Sequence, residues 1–67
     1  MNKNLIIIPT FNEALNIKNL IIKIFKYQKK IDLLFIDDNS PDGTSKIIEK
    51  IKKKKRNIFL INRKNKL

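Results

Sequence analysis

The sequence has no cysteine, no histidine and no tryptophan, and it contains a single glycine in 67 residues. The lack of cysteine and histidine excludes a disulfide framework, a Cys/His zinc site, a thiol nucleophile and histidine acid–base catalysis. One glycine cannot form the G-x-G-x-x-G loop of a Rossmann dinucleotide site. Any chemistry of this chain therefore depends on carboxylates, hydroxyls, amides and cations.

Long hydrophobic runs are also missing, since no apolar stretch exceeds four residues. A membrane-spanning helix needs roughly 20 apolar residues, and the first apolar run lacks the length and cleavage site of a signal peptide. Apolar residues nevertheless make up 42% of the chain, too many for a disordered tail. We expect one small cytoplasmic domain with a marginal core, because so short a chain buries only about 60% of its unfolded surface.

Basic residues dominate the charge, with 16 Lys/Arg against 6 Asp/Glu and a net charge of +10. Such a charge attracts nucleic acid, an anionic membrane or a phosphorylated substrate. Isoleucine, lysine and asparagine together supply 37 residues, however, and AT-rich coding produces this bias without functional selection. The basic cluster at residues 52–56 falls where a helix is predicted to end, and cations there complement the helix dipole. We interpret this cluster as a solvated helix end.

The order of apolar segments predicts an α/β fold. Apolar, β-branched runs at residues 5–8, 33–36 and 58–61 are typical of strands, the first two buried on both faces. Helical spacing predicts amphipathic helices over about 13–28 and 42–54. The result is a three-stranded parallel βαβαβ sheet with right-handed crossovers and both helices on one face. The other face and the free edge of the first strand then lack cover, which indicates one part of a larger α/β domain.

Polar residues follow the first two strands, where open parallel sheets bind ligands. The two loops, residues 9–13 and 37–44, leave strands about 4.8 Å apart and should share a crevice. It would contain the ring of Phe11, several carboxylates and free amides from two helix starts. This set of groups suits a nucleoside, with a ring to stack the base, a carboxylate to accept from base or ribose, and amides that tolerate phosphate.

Structural roles are the alternative for several of these residues. Thr10 with Glu13 fits a capping box, and Asn12 is a second candidate cap. Ser40 followed by Pro41 resembles a cap with proline at the first helical position. Asp42 and Gly43 are common turn residues, so for these two and Pro41 the structural interpretation is favoured.

Asp37 and Asp38 are adjacent carboxylates that repel each other and are costly if buried without partners. Side chains alternate along a strand, so only one can point with the buried residues while the other faces the crevice. A metal site is the alternative, since residues 34–39 resemble the acidic start of a response-regulator receiver domain. That family places its acidic pair after the first strand, whereas here a strand and a helix come first, so we disfavour it.

Residues 6–14, 16–17 and 36–44 together closely resemble the amino terminus of family 2 glycosyltransferases, nearest to the dolichol-phosphate (polyprenol-phosphate) mannosyltransferase branch. The resemblance spans nearly the whole chain and includes residues 62–67, which in the family lead into a Gly-Leu-Gly turn. It implies that residues 1–67 are the amino-terminal, nucleotide-binding part of a GT-A (Rossmann-like) domain.

The resemblance also implies a nucleotide-sugar donor, GDP-mannose or a UDP-sugar. The sugar is transferred with inversion to a polyprenyl phosphate, by a protein held peripherally at the cytoplasmic membrane face. Carried over by position, the nucleotide-binding residues are Pro9, Phe11, Glu13, Ile36 and Asp38. The supporting residues are Thr10, Asn12, Asp37 and Asn39, with residues 39–44 shaping the second loop. Phe11 replaces the usual tyrosine, which preserves stacking but loses a hydrogen bond worth roughly 1 kcal/mol.

A divalent cation, Mg²⁺ or Mn²⁺, is implied for the departing diphosphate. The family's Asp-x-Asp metal motif, acceptor residues and phosphate-binding cations lie beyond residue 67, so no catalytic residue or metal ligand is assigned here. We expect weak nucleotide binding at most and no sugar transfer by this chain. The alternative from another class is a non-catalytic basic α/β module that binds nucleic acid or a partner protein. Charge alone supports it, and we expect no nucleic acid partner.

Overall fold

The computed structural model describes residues 4–63 as alternating strands and helices. The elements are β1 (Leu5–Thr10), α1 (Ile17–Tyr27), β2 (Asp32–Asp37), α2 (Thr44–Lys52) and β3 (Ile58–Asn62). The predicted order is confirmed, and each predicted strand lies inside an observed one that is slightly longer. The segment that leads into a Gly-Leu-Gly turn in the family is residues 62–67, and residues 64–67 lie outside the described part of the chain.

The three strands form one parallel sheet in the order β1-β2-β3, with β2 in the centre. Leu5 pairs with Asp32 at one end of the β1–β2 register, and Thr10 pairs with Asp37 at the other. The carboxyl ends of these neighbouring strands are therefore level. The loops that follow them leave the sheet side by side, as the predicted crevice requires.

Both helices pack on one face of the sheet and form the core there. Its buried apolar side chains, which are at most 4% exposed, are Ile17, Ile21, Ile31, Leu33, Phe35, Ile48 and Ile58. Burying a side chain of this size contributes about 1.5–3 kcal/mol, so this cluster is the main source of stability. Each helix contributes an apolar stripe at helical spacing, and β2 contributes alternate residues.

The opposite face of the sheet is open among the described residues. Leu5, Ile7, Phe59 and Ile61 point away from the helices and are 38–56% exposed. The prediction of an uncovered face is confirmed. The prediction that residues 5–8 and 33–36 are buried on both faces is wrong for the open face, because no described element covers it: Leu5 and Ile7 are exposed there, and Leu34 and Ile36 are only partly buried.

Both helices begin later than predicted, α1 at Ile17 and α2 at Thr44. Their N-cap residues, Asn16 and Gly43, make no side-chain capping hydrogen bond. At the other end, α2 stops at Lys52 and the next four basic residues are exposed, which confirms the solvated helix end. Neither helix within residues 4–63 is long and apolar enough to span a bilayer.

Candidate functional site

The loop after β1 is tied to the loop after β2 by three hydrogen bonds from backbone to side chain. The pairs, at 2.9, 3.0 and 3.0 Å, are Asn12 N to Ser40 Oγ, Glu13 N to Thr44 Oγ1 and Ala14 N to Asp42 Oδ2. These amides are therefore occupied by protein acceptors. The expectation that the first loop offers free amides for a phosphate is wrong at these three positions.

Asp37 anchors the second loop from inside the protein. Its side chain is fully buried, where an unpaired carboxylate is costly. Oδ1 accepts from the hydroxyls of Thr10 and Ser40, both at 2.7 Å, and Oδ2 accepts from the Ser40 amide at 2.9 Å. Three donors offset the loss of hydration, and these bonds fix the position of the second loop.

Side-chain alternation directs Asp38 to the other side of the sheet. Its amide donates to the Thr10 carbonyl at 3.0 Å, which continues the ladder beyond β2. Alternation places its side chain with Ile36, whose register partner is Pro9, on the face opposite Asp37. Asp38 Oδ1 is buried and accepts no hydrogen bond from the described part of the chain. A buried acceptor without a donor costs about 1–3 kcal/mol, so a ligand donor here would be strongly favoured.

The five predicted nucleotide-binding residues divide into two groups. Pro9 pairs with Ile36 at the carboxyl edge of the open sheet face, and side-chain alternation directs Asp38 to the same place. Phe11 and Glu13 lie in the adjoining first loop, where Phe11 is 49% exposed and Glu13 is also accessible. Phe11 is thus partly accessible at the margin of the crevice.

Two asparagines and one glycine set the course of the loops. Asn12 has φ 55°, Asn39 has φ 54° and Gly43 has φ 87°. The left-handed region is disfavoured for most side chains, but asparagine tolerates it and glycine adopts it freely. Asn12 and Asn39, predicted as supporting residues, thus allow each loop to reverse direction directly after its strand.

Two capping predictions are wrong. The Thr10 hydroxyl donates to Asp37 and does not cap α1, so Thr10 and Glu13 form no capping box. Ser40 does not cap α2, because its hydroxyl accepts from Asn12 and donates to Asp37. In both cases the hydroxyl makes a bond across the sheet end, Thr10 to Asp37 and Ser40 with Asn12, instead of capping a helix.

The turn prediction for Asp42 and Gly43 is confirmed. Asp42 Oδ1 accepts from the Thr44 amide at 3.1 Å and from the Thr44 hydroxyl at 2.5 Å, while Gly43 adopts its positive φ. The hydroxyl bond, aided by the Ala14 and Thr44 amides against a smaller effect of desolvation, holds the pKa of Asp42 below its usual 3.8. The sequence did not reveal that Ser40, Asp42 and Thr44 also bind the first loop.

Comparison with known protein families identifies the family to which these two loops belong. The profile of glycosyl transferase family 2 matches residues 5–67. The chain belongs to glycosyl transferase family 2. The resemblance of the two loops is thereby confirmed. The βαβαβ sheet is the amino-terminal half of a GT-A, Rossmann-like fold.

Three relatives show what share of their own length this chain matches. Dolichol-phosphate mannosyltransferase of Saccharomyces cerevisiae is 35% identical over 65 residues, covering 90% of this chain and 24% of that protein. Polyprenol monophosphomannose synthase of Mycolicibacterium smegmatis is 33% identical over 49 residues, covering 73% and 18%. An uncharacterised protein of Methanocaldococcus jannaschii is 48% identical over 63 residues, covering 88% and 26%. The chain thus spans about a quarter or less of each, and no solved structure matches it significantly.

The acidic residues of this family member do not fit a metal site. Within residues 4–63, no group of three or more acidic side chains lies close enough to share an ion. Asp37 directs both oxygens at Thr10 and Ser40, and the alternation of side chains along the strand directs Asp38 to the opposite face. The two carboxylates do not converge on one ion, which argues against the receiver-domain alternative.

Proposed function

We propose that this chain is the donor-nucleotide-binding part of a glycosyltransferase that moves mannose from GDP-mannose to a polyprenyl or dolichyl phosphate. Membership of glycosyl transferase family 2 and the names of two relatives support this reaction class. The observation that carries the binding role is Asp38, whose buried Oδ1 has no donor within residues 4–63 and lies where the two loops meet.

The proposed nucleoside lies at the carboxyl edge of the open sheet face, against Pro9 and Ile36. Asp38 accepts a hydrogen bond from the base or the ribose, and the ring of Phe11 stacks on the base. A bond from a neutral donor to a carboxylate contributes about 1.5–3 kcal/mol. Guanine and uracil both carry ring N–H donors, so a UDP-sugar is the second candidate donor.

We assign the remaining steps to the part of the relatives that this chain does not span. The acceptor phosphate is already an anion, which makes little demand on a general base. A divalent cation, Mg²⁺ or Mn²⁺, supplies charge stabilisation for the departing diphosphate in the complete enzyme. Since the acids described here do not converge on an ion, we propose that its ligands lie elsewhere. The chain alone should bind nucleotide weakly and transfer no sugar, and the complete enzyme should bind peripherally to the cytoplasmic membrane face.

The test is a titration of the chain with GDP, UDP and an oligonucleotide, followed through backbone amide resonances. We expect GDP to shift the signals of Phe11, Glu13 and Asp38. Asp38→Asn should weaken this response about tenfold, which corresponds to one lost charge-assisted hydrogen bond. Glu49→Gln removes the same charge from the exposed side of α2 and should leave the response unchanged.

Two results would reject the proposal. The first is a GDP response that Asp38→Asn does not alter. The second is an oligonucleotide response that spreads over residues 52–56 and disappears with added salt, which would favour the basic binding module. Turnover of GDP-mannose by this chain would contradict the expected inactivity but leave the nucleotide site in place.

A further inference from the structure

A groove of about 720 Å³ lies in the helix layer, between α1 and α2. Its floor is apolar and consists of Ile21, Ile22, Phe25, Ile47 and Ile51. Its rim carries five lysines, which are Lys18, Lys50, Lys53, Lys54 and Lys55. The residues of the nucleotide crevice do not line it, so the groove is a separate surface feature.

The electrostatics of the groove favour an anionic occupant. None of the lining residues is acidic, and all five rim lysines are exposed. Four of the six acidic residues of the chain lie instead in or beside the two crevice loops, namely Glu13, Asp37, Asp38 and Asp42. The ammonium groups on the rim repel one another, and a bound anion would reduce that repulsion.

The floor favours an occupant that also has an apolar part. Ile22 is 56% exposed although it is a large aliphatic side chain, and it opens directly into the groove. Lys55 reaches back across the floor, with its Nζ 4.9 Å from the centroid of the Phe25 ring. An acyl chain on the floor would move this ammonium group toward the headgroup layer, where the lysine methylene groups can still lie along the apolar surface.

We propose that this groove binds an anionic lipid of a membrane leaflet, with an acyl chain on the isoleucine floor and the headgroup phosphate among the lysines. A lipid surface is favoured over an acidic peptide, because lysine can keep its methylene groups on an apolar surface while its ammonium group reaches anionic headgroups. All five rim lysines are exposed and can take up this arrangement around the isoleucine floor.

This inference deepens the proposed membrane contact by naming the surface that makes it, and it does not depend on the nucleotide crevice. GDP binding at Asp38 and lipid binding at the groove can be measured separately on the same variants. Loss of one with retention of the other would show which proposal fails.

The experiment is sedimentation of the chain with vesicles of phosphatidylcholine containing about 30% phosphatidylglycerol, compared with vesicles of phosphatidylcholine alone. We expect binding to the anionic vesicles only, and we expect it to weaken as salt screens the lysines. Inorganic phosphate at millimolar concentration should compete poorly, because it has no apolar part.

Matched variants locate the site. Lys53→Gln with Lys54→Gln should weaken vesicle binding about 25-fold, since each lysine near an anionic leaflet contributes about fivefold. Lys29→Gln with Lys30→Gln removes the same charge from exposed positions outside the groove and should have a much smaller effect.

The floor is tested at exposed positions, where substitution preserves folding. Ile22→Ser should weaken binding about tenfold, because it removes apolar area that the lipid covers. Leu15→Ser is the control, since Leu15 is 92% exposed and outside the groove. Circular dichroism checks that both variants retain the fold.

Three outcomes would overturn the inference. Equal losses from the two lysine pairs would mean that total charge, not the groove, drives binding. Unchanged binding by Ile22→Ser would remove the role of the floor. Full competition by inorganic phosphate, or by an oligonucleotide that Ile22→Ser does not affect, would indicate a simple anion site.

Discussion

The two faces of the sheet are built from the same three strands, yet they are buried very differently. On the helix side, Leu33, Phe35 and Ile58 are at most 1% exposed. On the open side, Ile7, Phe59 and Ile61 are 38–56% exposed. Both faces are apolar, so the strand sequences alone do not distinguish them. An apolar run therefore indicates that both faces of a strand are suited to burial. Which face is buried within this chain depends on where its two helices pack.

The sharpest test of this contrast is a pair of phenylalanines on adjacent strands. Phe35→Ala creates a cavity in the core and should lower the free energy of unfolding by about 3–5 kcal/mol, enough to unfold so small a domain. Phe59→Ala removes a partly exposed ring from the open face and should cost about 1 kcal/mol or less. Urea unfolding followed by circular dichroism measures both. Similar losses for the two variants would show that the open face is not open in solution.

The adjacent aspartates extend the contrast to polar groups. Asp37→Asn replaces an acceptor of three hydrogen bonds with a group that offers one acceptor oxygen, and should lower the free energy of unfolding by about 2–3 kcal/mol. Asp38→Asn removes the negative charge of a carboxylate whose buried oxygen has no hydrogen-bond donor in the described structure, so the free energy of unfolding should stay the same or rise. Chemical denaturation at neutral pH separates them. Greater damage from Asp38→Asn would reverse the roles assigned to the two residues.

Self-association is the expected property of an exposed apolar face. The chain should associate at high concentration, and Ile7→Lys with Ile61→Lys should raise the dissociation constant at least about tenfold by charging that face. Leu15→Lys adds the same type of charge away from the sheet and should have little effect. Sedimentation velocity over a concentration series is the measurement. A well-dispersed monomer that melts cooperatively would contradict the expectation.

The smallest expected effect concerns Asp42, which is exposed. Because the Thr44 hydroxyl lowers the pKa of Asp42 in the folded state, its ionised form stabilises the fold above the usual value of 3.8. That contribution should be lost as the pH falls through the depressed value. Titration of the Asp42 carboxylate by NMR should give a midpoint below 3.8, and Thr44→Val should move it upward. A midpoint of 3.8 in the unaltered chain would argue against the hydrogen bond from the Thr44 hydroxyl to Asp42.

The sequence predicted the strands, their order and the neighbouring loops, because each depends on local apolar runs and on the handedness of crossovers. It did not predict where the helices begin. The hydroxyls of Thr10 and Ser40 could each cap a nearby helix or donate to the carboxylate of Asp37. The register that pairs Thr10 with Asp37 brings them side by side, and the sequence alone does not give this register. Alternation predicted that one aspartate would face the crevice but left open which, and only the family resemblance assigned that position to Asp38. The unpaired buried oxygen of Asp38 could not be predicted from the sequence.

The three cross-loop hydrogen bonds join the two loops, so that each loop holds the other in place. Their partners lie 28 to 31 residues apart along the chain, and each hydroxyl that accepts an amide of the first loop also donates to a carboxylate of the second. A peptide that carries either loop alone cannot reproduce this arrangement. The proposed crevice therefore forms only when β1 and β2 pair, and a substitution that removes a cross-loop bond from one loop has to be compensated in the other.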